Sequence, residues 1–174
     1  MKKSVFVILL VFFISAFSIS MYFVVKETIG DKKQYEVFEN IVSSVQVEDD
    51  SSDYTDDKLK RYIELNTENP DFAGWIKIDG THINYPVMKS STPDYYLHRN
   101  FNKEYSYYGT PYLSEKSDTM KPTDNIVIYG HNMRDNTIFG DLSKYKSKEF
   151  FEKHRYIHFD TLVDLGKYEV ICVF

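Results

Sequence analysis

An uncharged, mostly apolar run from Ser4 to Val25 limits this chain more than any other stretch; Lys2 and Lys3 precede it, and Lys26 and Glu27 close it. At about 1.5 Å of rise per residue, roughly 20 residues cross the hydrocarbon core of a bilayer. With the lysines retained inside, the remaining chain lies outside the cell. A cleaved signal peptide is the competing reading, with Ser18 and Ser20 as small residues for a cleavage site, although the run exceeds the usual apolar core of such a peptide. On either reading the working part is expected to be extracytoplasmic. The expected layout is a cytoplasmic stub over residues 1–3, a transmembrane signal-anchor over 4–25, a helical stalk with an acidic linker over 26–57, and one domain over 58–174.

The length of 174 residues suits one domain plus accessories. Hydrophobic residues at 43% and aromatics at 17% exclude disorder throughout. The 15 Tyr and 13 Phe favour β-rich structure, where aromatics pack well on pleated surfaces. A net charge of −5 gives no basic footprint, so nucleic acid is not an expected partner. With Cys172 as the one cysteine, neither an intramolecular disulfide nor a cysteine-based zinc site can form.

Beyond the anchor, Tyr35, Phe38, Ile41, Val42 and Val45 recur at helical spacing and predict a stalk helix. Glu48 to Asp53, with Asp56 and Asp57 close behind, reads as a solvated linker; the spacing and glycine of a calcium loop are missing. Leu59, Tyr62 and Ile63 predict one face of a short helix that stops before Pro70. Trp75 to Ile78 and Thr81 to Val87 flank Asp79-Gly80 and predict a β-hairpin. Asn125 to Tyr129 reads as a buried strand stopping at Gly130-His131. The stretch from Thr137 to His154 predicts one or two short helices with Phe139, Leu142, Phe150 and Phe151 buried. Tyr156 to Val163 and Lys167 to Phe174 return to strand character.

Tyr129-Gly130-His131-Asn132-Met133 carries the most chemical information. A histidine at the end of a strand is held rigidly yet faces a cleft, and its imidazole can exchange protons near neutrality. A structural histidine bonding a loop is the plainer alternative. His82, His98 and His158 show no metal-ligand spacing, His154 falls near a helix C-terminus, and no cofactor or metal is called for.

Six strings in order resemble the class B sortase family, cysteine transpeptidases of Gram-positive surfaces. They are Asn69-Pro70-Asp71-Phe72-Ala73-Gly74-Trp75-Ile76, Ile83-Asn84-Tyr85-Pro86-Val87-Met88, Tyr95-Tyr96-Leu97, Gly109-Thr110-Pro111-Tyr112-Leu113, Ile128-Tyr129-Gly130-His131-Asn132-Met133 and Phe139-Gly140-Asp141-Leu142. The resemblance implies a mainly β fold, a sortase-like β-barrel with N-terminal helices and a peptide groove. It implies a thiolate that attacks the threonine carbonyl of an Asn-Pro-x-Thr-Asn-type sorting signal on a surface protein. The acyl group then passes to an amine of a peptidoglycan precursor or cross-bridge. His131 matches the family's catalytic histidine.

The family's Thr-Leu-x-Thr-Cys string and following arginine strand do not occur here. Roughly 50 residues of the expected barrel are missing, judged from domain size. The expectation is therefore a barrel incomplete at its C-terminus and inactive as written. Cys172 is not expected to replace the nucleophile. Alternation puts it with Tyr168, Val170 and Phe174 on an apolar face, where a buried thiol is inert. Arg134 and Arg155 do not sit at the family's arginine position. The rival readings are a non-catalytic, membrane-anchored surface domain that binds a peptide or cell-wall fragment, and a structural membrane protein acting through its stalk.

Overall fold

The computed structural model describes residues 2–45, 54–120 and 125–173. The acidic stretch 48–53, read above as linker, lies outside the described residues, as do Phe174 and the side chain of Tyr35.

Helix α1, Lys2–Val45, runs without interruption through the apolar segment and the stalk. Its residues 4–25 are exposed, and Lys3–Gly30 is long and apolar enough to cross a membrane. The stalk stripe behaves as its spacing predicts, with Phe38, Ile41 and Val45 buried and Val42 packed beside them. Helix α2, Tyr54–Glu68, starts earlier than the sequence suggests and takes Asp56 and Asp57 into its first turn. Carboxylates there meet the unpaired N–H groups of a helix start, which favours helix over linker. Its buried face is Tyr62 and Leu65, while Ile63 is exposed. Tyr62 and Leu65 stand three apart and continue to Asn69, so the helix turns Ile63 outward.

Six strands form one sheet in the order β4-β3-β2-β1-β5-β6, curled into half a barrel. They are β1 Phe72–Lys77, β2 Asn84–Met88, β3 Tyr112–Leu113, β4 Ile128–Tyr129, β5 Tyr156–Thr161 and β6 Leu165–Glu169. The β1–β2 hairpin forms as expected, but the strands part at Lys77 and Asn84, so the connection is wider than Asp79-Gly80 alone. Thr81 explains the width: its hydroxyl donates to the Ile78 carbonyl and accepts from the Ile83 N–H. Gly80 adopts φ +75°, a conformation that suits glycine. A register shift between Phe72 and Gly74 breaks the strict alternation of β1. Phe72 and Trp75 therefore share one face, and Ala73 and Ile76 the other.

The two faces carry two cores. One gathers Ile76, Tyr85, Val87, Leu113, Ile138 and Phe159. The other gathers Tyr62, Phe72, Trp75, Met88, Tyr96 and Phe101, with Tyr62 stacked on Trp75 at 6.3 Å. Asp160 on β5 is buried against the second core, where it accepts from Tyr62 Oη at 2.8 Å and pairs with Lys58 Nζ at 2.7 Å.

Three expectations need correction. The strand at Asn125–Tyr129 shrinks to Ile128–Tyr129 and is an edge rather than a buried strand, because it pairs with β3 alone among the described residues. The last strand ends at Glu169, opposite the start of β5 at Tyr156, with one further backbone bond from the Val170 N–H to the Arg155 carbonyl. Cys172 consequently falls outside the sheet and is exposed rather than buried. Between β4 and β5, a 3₁₀ turn at Gly140–Lys146 and helix α3, Lys148–Lys153, supply the expected short helices. Phe139, Leu142, Phe150 and Phe151 pack there, but the deeply buried members are Ile138 and Tyr145.

Candidate active site

The site begins with Tyr96, whose ring is 1% exposed in the second core. Its hydroxyl donates to Asp71 Oδ2 at 2.8 Å and accepts from Asn69 Nδ2 at 3.1 Å. Burial, foremost, and the neighbouring Asp71 carboxylate push the phenol's pKa up, so it stays a neutral donor. Asn69 also donates to the Phe101 carbonyl at 2.6 Å. This buried knot fixes the 3₁₀ turn Tyr95–His98 against the start of β1.

The turn meets the end of β4. His131 follows Gly130, which packs so closely on the ring of Phe139 that a Cβ would stand 2.8 Å from it. The His131 carbonyl accepts from the Phe139 N–H at 3.0 Å, and Asn132 bridges to Ile138. Ile138 holds a left-handed φ of +51°, and its N–H is taken by Tyr85 Oη at 3.2 Å. The loop after β4 is thus folded back on itself and tied to the hairpin core. The half-buried imidazole of His131 places Nε2 3.0 Å from the Leu97 carbonyl oxygen. A carbonyl can only accept, so Nε2 carries the proton and Nδ1 is left to take or give one.

Two further rings stand beside it. His98 lies 5.2 Å from His131, and Tyr105 stacks on His98 at 6.3 Å and 21°. Sequence spacing gave no hint that His131 joins them: His98 and Tyr105 flank one short turn bridged at Arg99 and Tyr105, whereas His131 comes from a separate segment. Beside the same turn, a cleft of about 650 Å³ is lined by Ser90, Asp94, Tyr95, Tyr96, Tyr112 and Tyr129. Tyr112 donates to Asp94 Oδ1 at 2.6 Å, and burial together with that carboxylate pushes its pKa up. A second cavity, about 760 Å³, lies between α1 and the hairpin, and His131 lines neither of the two.

Cys172 follows β6, the edge strand farthest in sheet order from β4, after which His131 stands. Arg155 pairs with Glu169 and lies over the Phe151 ring at 5.8 Å, and Arg134 is exposed on the loop after His131. His154 caps the C-terminal end of α3, and Asp141 holds His82. No group of three metal-ligating side chains occurs among the described residues.

A sequence model of the Sortase domain matches residues 76–172. Sortase B of Staphylococcus aureus is 32% identical over 149 residues, which are 86% of this chain and 59% of that protein. The chain thus spans about three fifths of the length of the curated relatives it matches. A solved structure of sortase B from B. anthracis superposes with a TM-score of 0.73 at 30% identity, covering 84% of this chain and 69% of that one. A Staphylococcus aureus sortase B–substrate complex does so with a TM-score of 0.73 at 28% identity, covering 82% and 65%.

Proposed function

The chain belongs to the class B sortase family, and from that premise we propose that it is the membrane-anchored part of an extracytoplasmic cysteine transpeptidase in which His131 moves the proton. Residues 1–3 form the cytoplasmic stub, 4–25 the anchor, 26–57 the stalk and linker, and the domain follows from residue 58. The substrate is a surface protein with an Asn-Pro-x-Thr-Asn-type signal, and the acceptor is an amine of a peptidoglycan precursor or cross-bridge. The related Staphylococcus aureus enzyme solved with its substrate supports a peptide partner.

In the reaction a thiolate attacks the threonine carbonyl carbon, and a C–S bond forms as the peptide C–N bond breaks. The histidine protonates the leaving amine, and a guanidinium steadies the oxyanion. The acceptor amine then attacks the thioester carbonyl, returns a proton to the histidine, forms the new C–N bond and releases the thiolate. The observation that carries the assignment is the His131 ring, fixed through Nε2 on Leu97 with Nδ1 left for proton transfer.

Neither the thiolate nor the guanidinium is assigned within these residues. Cys172 is exposed beyond the opposite edge strand, and the 174-residue chain alone is expected to show no thiol-dependent cleavage of a signal peptide. Turnover by that chain, abolished by Cys172→Ser, would overturn this. A chimera that continues the chain into the Thr-Leu-x-Thr-Cys strand of a class B relative tests His131 itself. Cleavage by the chimera should fall about 10²–10⁴-fold on His131→Ala; undiminished cleavage would remove the histidine from the mechanism.

A further inference from the structure

We propose that the turn Tyr95–His98 is the positioning element of His131: the Leu97 carbonyl fixes its tautomer, and the His98 ring, backed by Tyr105, fixes its plane. The inference rests on the proton-transfer role proposed for His131, and it names the groups that prepare the ring for it.

The turn is rigid for local reasons. The Tyr96 carbonyl accepts from the Thr110 N–H at 3.0 Å, and the His98 carbonyl accepts from the Ser106 N–H at 3.1 Å. The carbonyl between them, that of Leu97, is the one that meets Nε2 of His131. Gly109 holds it there. This residue is buried at φ +62°, and a Cβ on it would overlap both the Leu97 and the Tyr96 carbonyl oxygens. The carbonyl is therefore wedged between a glycine that admits no side chain and an imidazole that must donate to it.

The hydrogen bond leaves one freedom, since a ring can pivot about its Nε2–O line. His98 faces the ring at 5.2 Å with 40° between the planes, and Tyr105 in turn stacks on His98 at 6.3 Å. Offset aromatic rings at such separations attract through their quadrupoles and resist pivoting. The backbone bridge between Arg99 and Tyr105 sets Tyr105 beside His98, and both side chains are exposed, so no core requirement explains the contact of His98 with His131. Positioning His131 accounts for the His98 contact and for Gly109 together.

The test is spectroscopic and uses the whole 174-residue chain in detergent with isotope-labelled histidine. Two-bond proton–nitrogen spectra read the tautomer, and ring-proton shifts read the neighbouring ring. His131 is expected as a single Nε2–H tautomer whose ring protons are displaced upfield by His98. His98→Ala should abolish that displacement, and His98→Phe should restore it. Gly109→Ala should push the Leu97 carbonyl away and mix the two tautomers. Because Gly109→Ala carries a folding cost at its positive φ, the exposed His98 pair decides. An Nδ1–H or mixed His131 in the unaltered chain, or ring protons indifferent to His98→Ala, would overturn the proposal. The chimera's cleavage assay judges the catalytic role separately, so failure of one is not failure of the other.

Discussion

At the centre of the sheet, β1 runs from Phe72 to Lys77 with every residue but the last buried, and it pairs on both sides. At the edge, β4 is two residues long, pairs with β3, and leaves Tyr129 48% exposed. The same chain thus builds one region by apolar packing and another by hydrogen bonds to backbone and by ring contacts. The difference teaches where each kind of residue is spent. Phe72, Trp75 and Tyr62 hold the domain together, while His131 is held in place by a structure that does not depend on it.

The strongest attempt to break this division is Phe72→Ala, which empties a site that is 2% exposed. Denaturant unfolding in detergent should show a loss of about 3–5 kcal/mol. Tyr62→Phe should cost less, about 2 kcal/mol in the same measurement, because it removes one bond to the buried Asp160 carboxylate and leaves Lys58 in place.

Acid probes a third point, between the two regions. Burial alone would raise the Asp141 carboxyl. The His82 backbone N–H, the Lys144 ammonium and the His82 ring outweigh it and hold the pKa below its ordinary value. The contribution is complete above the unfolded value of about 4 and is lost as pH falls through the lower folded value. Melting temperature followed from pH 6 downward should therefore drop below about pH 4, and Asp141→Asn should flatten that part of the curve. The smallest effect sharpens the division most: His131→Ala should change stability by no more than about 0.5 kcal/mol, measured by the same unfolding. A large loss would make His131 a structural residue.

Much of the centre was legible in advance. Alternation around Asp79-Gly80 gave the hairpin, and the three-and-four spacing of Phe38, Ile41 and Val45 gave the buried stripe of α1. The errors fall where pairing, rather than pattern, decides. Lys167 to Phe174 reads as one strand, yet beyond Tyr156 a single backbone bond remains, from the Val170 N–H to the Arg155 carbonyl at 2.7 Å, and Cys172 leaves the sheet. Ile63 and Leu65 are equally apolar on paper, and only the position of the sheet selects Leu65. At the site, His131 was visible from its place after a strand and from the resemblance of its neighbours. His98 and Tyr105 were not, because nothing local in either residue says that a loop will bring them beside a ring at position 131.

Helix α1 has one more consequence if it spans the bilayer as proposed. Between Val25, at the end of the apolar run, and Phe38, where the helix is buried in the domain, lie about 20 Å of unbroken helix. That segment is a shaft rather than a leash. A leash lets a head sweep a volume set by its contour length; a shaft fixes altitude above the lipid and leaves the head to turn about the membrane normal. The His131 ring would then patrol a thin horizontal layer, meeting whatever travels in the membrane plane at that level and missing what drifts higher.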